Sequence, residues 1–334
     1  MNHTQDFARW ITGSVTSPNP DETYPVVVAA NSIDTCRIAQ EVLADNPAMV
    51  FVPEEHMTKP RKGSRTVFGT YTGNLTEPGD VVELDDGTRF LVEAYRGAPF
   101  LAPSSPACLT IFDDADFRAL IEDADAASED GAFEPALLNP AVLIADASAL
   151  AGDGSHVQSR LFIDKAGKLR AGPRGAAATT LAEVAAWGPE DMVAETVRPD
   201  ILREVRHERP WLSRYLQVLS LAALFPEAHS GVKVSGFAWS PLPDVTGALT
   251  DTHLPIVALT AAGHIVWSPK TGLAYQVSAD VAAIVDHISR SASGHEIPPL
   301  SMLLGVTSKA CDSAVASLTQ QFFSPVTQPD TLAA

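Results

Sequence analysis

The order of apolar patterns in residues 254–323 constrains the fold of this chain more than any other feature. Residues 254–260, 263–267 and 273–277 are short apolar, partly β-branched runs, and turn-forming residues separate them. Apolar residues at helical spacing begin directly after Ser278, which stands where a helix N-cap belongs. The sequence therefore predicts a small domain of three strands followed by three helices.

The three predicted helices each present one apolar face. The first begins after Ser278, the second ends at Gly305, and Ser308 is expected to cap the third. Intervals of three and four residues place the apolar side chains of the third helix on one side. These side chains are Cys311, Ala314, Val315, Leu318 and Phe322.

The chain before this domain divides into two further predicted regions. Residues 24–150 begin with a strand, an amphipathic helix and a second strand, a β-α-β pattern that predicts a mixed α/β domain with parallel strands. Residues 151–250 are predicted to form a hairpin and helices after a glycine-rich linker, and they are a candidate docking surface. The polar ends, residues 1–23 and 324–334, are expected to be flexible. The predicted fold class is therefore α+β or α/β.

Charge and composition exclude several classes of function. The chain has 334 residues, of which 46% are hydrophobic, so a large core is expected. Its net charge of −18 disfavours nucleic acid and anionic membrane as partners. The three cysteines lie far apart in the sequence, which predicts neither a disulfide framework nor a metal site. Because no export signal or membrane span is recognisable, we expect a cytoplasmic protein.

Catalytic motifs are missing from the sequence. The nine histidines include no His-Glu-x-x-His pair, and neither a Gly-x-Ser-x-Gly elbow nor a Gly-x-Gly-x-x-Gly loop occurs. We therefore predict a protein that is not an enzyme, with no catalytic residue, metal or cofactor. An enzyme of unknown chemistry, assembled from distant residues within 24–250, stays open as an alternative.

The C-terminal domain resembles a known family in its order of elements and in particular residues. The stretch 263–280 has a turn at Gly272, an aromatic residue at Tyr275 and a polar helix cap at Ser278, and an apolar helix follows. These features resemble the PqqD-like recognition elements, winged-helix-like domains that bind leader peptides of ribosomally made, post-translationally modified peptides. Residues 321–325 depart from that pattern. The layout of the whole chain also resembles recognition proteins of daptide biosynthesis.

This resemblance implies a binding mode and partners. A leader peptide is expected to add a strand beside residues 273–277, with its side chains in a groove against the third helix. The daptide likeness implies an adaptor that presents the precursor to a modifying enzyme, such as an oxidative decarboxylase. The same side chains can equally form the core of the domain, and that alternative stays open. The implied binding residues are Leu273, Tyr275, Val277, Cys311, Val315, Leu318 and Phe322.

A winged-helix regulator that binds DNA is a further alternative. Such a protein needs a basic recognition helix. The predicted third helix offers only Lys309, and Asp312 opposes it. The DNA-binding alternative is therefore disfavoured.

Overall fold

The chain forms two compact units in a computed structural model. The first unit comprises Met1–Ile121 and Asn139–Glu208, and the second comprises Glu122–Leu138 and Arg209–Ala334. The structure describes residues 2–13, 26–44, 48–59, 62–101, 105–151, 160–174, 177–180, 199–222, 231–245, 247–269, 273–305 and 307–323. The predicted linker near residue 152 and the predicted flexible tail at 324–334 lie outside these ranges.

A mixed sheet of ten strands organises the first unit. The strands lie in the order β10-β9-β8-β1-β2-β3-β4-β5-β6-β7. The pairs β8-β1, β1-β2, β2-β3, β5-β6 and β6-β7 are parallel, and the remaining neighbours are antiparallel. The strands are β1 (Val26–Ala29), β2 (Met49–Pro53), β3 (Val67–Gly73), β4 (Val81–Leu84), β5 (Arg89–Ala94), β6 (Ala107–Thr110), β7 (Val142–Ile144), β8 (Arg160–Ile163), β9 (Lys168–Ala171) and β10 (Ala177–Thr180).

Helices α1 (His3–Thr12) and α2 (Ile33–Val42) contribute to two separate hydrophobic clusters on the central strands. Alternate residues of a strand point to opposite faces of its sheet. Val26 and Val28 accordingly join the cluster that contains α1, whereas Val27 and Ala29 join the cluster that contains α2. Every residue of β1 is buried, as expected for a strand covered on both faces.

The prediction of a flexible N-terminus over residues 1–23 is wrong for α1. Phe7, Trp10 and Ile11 recur at helical spacing and are almost completely buried in the core of the first unit. Asn2 caps the helix, because its side chain accepts a hydrogen bond from the Gln5 backbone N–H. The Trp10 indole N–H also donates to the Leu161 carbonyl, at 2.9 Å. Residues 14–25 lie outside the described part of the chain.

The predicted domain boundary near residue 150 is also wrong. β8 pairs in parallel with β1, with Val27 opposite Leu161. The strands between residues 160 and 180 therefore extend the sheet of the first unit, although the sequence predicts that they belong to a separate middle region. The physical reason is that β1 is buried and needs a hydrogen-bonding neighbour on each side.

An acidic helix, α3 (Asp114–Asp130), passes from the first unit into the second along the chain. Asp116 near its start is fully buried. Its carboxylate accepts hydrogen bonds from the backbone N–H groups of Arg96, at 3.2 Å, and Phe112, at 2.9 Å. This acidic side chain therefore has a structural role. The described residues contain no group of side chains suited to a metal ion. Further α-helices in the described part of the first unit are α4 (Ala147–Ala151) and α5 (Pro199–Glu208).

The second unit contains an antiparallel sheet of four strands in the order β11-β12-β13-β14. The strands are β11 (Lys233–Val234), β12 (Ile256–Thr260), β13 (Gly263–Ser268) and β14 (Leu273–Val277). The helices are α6 (Leu212–Ala222), α7 (Ala279–Ala292), α8 (Leu300–Leu304) and α9 (Ser308–Phe322). Ser278 caps α7, because its hydroxyl accepts from the Val281 N–H at 3.3 Å. Within the described ranges, no helix combines the length and apolar character needed to span a membrane.

Candidate functional site

β14 forms one edge of the four-stranded sheet. It follows β13 along the chain and pairs with it over its whole length, from Ser268 opposite Leu273 to His264 opposite Val277. An edge strand presents a row of backbone N–H and C=O groups on the side away from its neighbour. β14 therefore has the backbone arrangement that a further strand requires.

One face of β14 packs against the helices of the second unit. Leu273, Tyr275 and Val277 alternate along the strand and so point to the same face. Tyr275 and Val277 are partly buried against a cluster formed by Val257, Val266, Ala282, Val285 and Phe322. Leu273, at the start of the strand, remains 48% exposed. This face of β14 is therefore packed against the helices at Tyr275 and Val277 and exposed to solvent at Leu273.

The apolar stripe of α9 divides between two hydrophobic clusters. Phe322 is only 3% exposed and belongs to the cluster under β14, where its ring and the Tyr275 ring form a T-shaped pair with 5.4 Å between centroids. Cys311 is 6% exposed and belongs to a second hydrophobic cluster, which also contains Ile284 and Leu300. Val315 packs against this second cluster. Leu318 packs against both clusters. The stripe is therefore continuous, but its two halves have different surroundings.

The predicted site residues accordingly separate into three groups. One group packs in a single hydrophobic cluster, in which Phe322 is buried. Its members are Tyr275, Val277, Leu318 and Phe322. Leu273 lies on the same strand face and is accessible. Cys311 and Val315 instead line a separate cavity with α7 and α8. The geometry separates Cys311 and Val315 from the side chains at β14, and the peptide-binding role of the seven residues stays a prediction.

Buried charged side chains that the sequence analysis did not single out hold α7 in place. Asp286 and Arg290 are fully buried and pair within the helix, with 2.9 Å between Arg290 Nε and Asp286 Oδ2. The hydroxyls of Ser235 and Ser240 donate to the same carboxylate. Arg290 also donates to the Gly247 carbonyl at 3.1 Å. The signal in the sequence is an Asp and an Arg four residues apart, on a helix whose other buried residues are apolar except for Ser289.

A second buried arginine, Arg214, joins α6 to the segment that leads into β12. Its guanidinium donates to the backbone carbonyls of Asp251, Leu254 and Pro255 at 2.8 to 3.2 Å. Burial lowers the pKa of Arg214 to about 10. Arginine is usually a surface residue, but this one belongs to the core. Arg209, which precedes the same helix, pairs with Asp125 at 2.9 Å.

The polar groups of the first unit bear on the enzyme alternative. His56 follows β2 and Asn31 follows β1, with 2.8 Å between His56 Nε2 and Asn31 Oδ1. The carboxyl ends of neighbouring parallel strands often carry ligand sites. Cys36 lies on α2 nearby in the sequence, but it is fully buried, and burial raises the pKa of its thiol. A raised pKa disfavours the thiolate that a nucleophile needs.

Comparisons with models of protein families, with curated proteins and with solved structures found no match. Inference about function therefore rests on the residues and the geometry of the chain itself.

Proposed function

We propose that this protein is an adaptor, and not an enzyme, that binds the leader segment of a ribosomally made precursor peptide. The observation that carries the proposal is the edge strand β14, whose apolar face is backed by Phe322 of α9. The order of β12, β13 and β14 before α7, α8 and α9 supports a PqqD-like, winged-helix-like domain. In this proposal the bound peptide is a further strand of the sheet.

Strand addition assigns separate tasks to the backbone and the side chains. A segment of five peptide residues spans about 17 Å, which matches the length of β14. Its backbone pairs with the outer side of β14, and its alternate side chains lie over the face that holds Leu273 and Tyr275. Backbone pairing is independent of sequence, so selectivity comes from the side chains that meet this apolar face.

The bound precursor is proposed to be presented to a modifying enzyme, such as the oxidative decarboxylase implied by the daptide likeness. The first unit offers a candidate contact for that enzyme, since Phe100 is 88% exposed. Large exposed aromatic side chains are favoured at protein interfaces. The three cysteines are buried and form no disulfide, which suits the reducing cytoplasm expected from the sequence.

The winged-helix regulator is the weaker alternative. A DNA-binding recognition helix carries basic side chains toward phosphates and bases. The charged side chains of α9 are Lys309 and Asp312, and both are exposed. Together with the net charge of −18, this composition favours a peptide over DNA.

Selection of binders from a displayed library of random 15-residue peptides tests peptide binding by the full chain. We expect enriched peptides with an apolar alternating segment, and hydrogen exchange should show protection of residues 273–277 when such a peptide binds. Methylation of single backbone N–H groups in the peptide should weaken binding at every second position, because only alternate groups face β14. A flat methylation profile would exclude strand addition.

Two matched variants of β14 test the face that the peptide contacts. Leu273 and Ala274 are both exposed neighbours, but their side chains point to opposite faces. Leu273→Asp should weaken the selected peptide about tenfold, which corresponds to roughly 1.4 kcal/mol and to the burial of one apolar side chain. Ala274→Asp should have less than about a twofold effect. Equal effects of the two variants, or a selection that enriches no peptide, would refute the proposal.

A further inference from the structure

A cavity of about 620 Å³ lies between α7, α8 and α9. This volume falls within the range of about 300–1,000 Å³ typical of ligand sites. Its apolar wall is formed by Ile288 of α7, Leu300 of α8 and Val315 of α9. The cavity is distinct from the face of β14, because Cys311 and Val315 belong to a different hydrophobic cluster from Tyr275 and Phe322.

The polar part of the cavity lining is rich in hydrogen-bond acceptors. His287 Nε2 lies 3.0 Å from the Pro298 carbonyl and donates a hydrogen bond to it. Asp312, which is exposed, contributes a carboxylate. Three serine hydroxyls complete this part of the lining. No lysine or arginine lines the cavity among the residues that the structure describes.

An apolar wall beside a carboxylate fits a particular kind of side chain. Lysine and arginine combine a long aliphatic stem with a cationic head, so the stem can contact apolar surface while the head meets acceptors. The net charge of −18 also draws cationic segments to this protein. The chemistry of the cavity therefore matches a basic side chain better than an acidic or a purely apolar one.

The cavity is connected to the face of β14 through α9. Leu318, one helical turn beyond Val315, packs against both clusters. Val315 and Phe322 are seven residues apart, so about 10 Å separates them along the helix axis. About three extended peptide residues span the same distance.

We infer that this cavity receives a lysine or arginine side chain of the leader peptide, a few residues outside the segment that pairs with β14. The inference rests on the proposed function, and it adds a second determinant of specificity to strand addition. A peptide is then recognised by its apolar alternating segment and by one basic residue at a fixed distance from that segment.

A double-mutant cycle with a selected peptide tests the pairing with Asp312. Peptides enriched from the random library should share a basic residue at one position outside the apolar segment. Replacement of that residue by norleucine should weaken binding to the parent protein about fivefold, the upper range for an exposed ion pair. The same replacement should have almost no effect on binding to Asp312→Asn, because the carboxylate is already absent.

A cavity-filling variant provides a second readout. Ala292 is exposed and lines the cavity, so Ala292→Trp should occupy it without disturbing the core, and should weaken the basic peptide about tenfold. Ala316 is exposed on α9 and does not line the cavity, so Ala316→Trp is the matched control.

The outcomes separate the inference from the proposed function. If peptides bind and Leu273→Asp weakens them, but they share no basic residue, the cavity inference is overturned and strand addition stands. Unchanged affinity in both Asp312→Asn and Ala292→Trp would overturn the cavity inference in the same way. If no peptide binds at all, the proposed function fails and the inference fails with it.

Discussion

Replacement of Arg290 by methionine should strongly destabilise the second unit. In the parent, the Asp286 carboxylate is completely buried and accepts hydrogen bonds from Arg290, Ser235 and Ser240. Arg290→Met leaves this charge buried with two hydroxyl donors and no cation, and the Gly247 carbonyl loses the hydrogen bond from Arg290. Removal of one partner of a buried ion pair costs about 3–5 kcal/mol, and we expect a loss of that size.

Urea unfolding measures the loss, and hydrogen exchange locates it. Backbone N–H groups of α7 should exchange much faster in Arg290→Met than in the parent, because the helix carries both charged partners. Since α7 packs beneath the face that holds Tyr275 and Val277, affinity for a selected peptide should also fall.

A double variant supplies the control. Asp286→Leu with Arg290→Met removes both charges together, and apolar replacement of a buried ion pair is often nearly neutral. The double variant should therefore be more stable than Arg290→Met alone. A loss below about 1 kcal/mol in the single variant, or additive losses in the double variant, would refute the view that the two charges act as a buried pair.

Three further predictions concern other parts of the chain. Phe7→Ala should cost about 3–5 kcal/mol in thermal unfolding, because α1 is part of the core; a loss below about 1 kcal/mol would contradict this. Gly236→Ala should cost at least about 2 kcal/mol in urea unfolding, since φ is +88° and the added Cβ would lie 2.8 Å from Leu249 Cβ; an unchanged midpoint would argue against this backbone conformation. The Thr4 hydroxyl bonded to Asp86 lowers the pKa of that carboxyl from 3.8, so the stabilisation is present above about pH 4 and is lost as pH falls through the lowered pKa. The stability difference between parent and Asp86→Asn should therefore vanish in acid, and a difference independent of pH would contradict the assignment.

Local patterns were sufficient to predict the elements of the C-terminal domain. The runs that became β12, β13 and β14 are short, apolar and separated by turn residues, and the Ser278 cap is a signal carried by neighbouring residues. Helix caps and turns depend on a few adjacent residues, which is why the Ser278 cap was predicted correctly. The predicted cap Ser308 is wrong, because Ser308 is the first residue of α9 and Thr307 holds the N-cap position.

Elements that depend on distant residues were predicted less well. The apolar spacing of Phe7, Trp10 and Ile11 is visible, but its importance comes from packing against strands far along the chain. The pairing of β8 with β1 joins residues more than 130 positions apart, for example Val26 with Arg160, and no local pattern encodes such a register.

The candidate site shows the same division. Periodicity placed Cys311, Val315, Leu318 and Phe322 correctly on one side of α9, because it reports the direction of side chains on a helix. It gave no information about which neighbour each side chain meets. The separation of Val315 from the face of β14 follows from the positions of α7 and α8, which are set by tertiary packing.

The path of the chain between the two units has a consequence for how the protein is made and how it can be divided. The second unit includes Glu122–Leu138, and the chain then returns to the first unit at Asn139. During synthesis the first unit cannot be completed until residues near 208 have emerged. Residues 122–138 of the second unit have emerged by then, but the remainder of that unit has not. A fragment cut at residue 209 would lack Phe133, whose ring stacks on Tyr215 at 5.8 Å. The region that we propose to bind the peptide therefore cannot be transferred intact to another protein by a simple truncation.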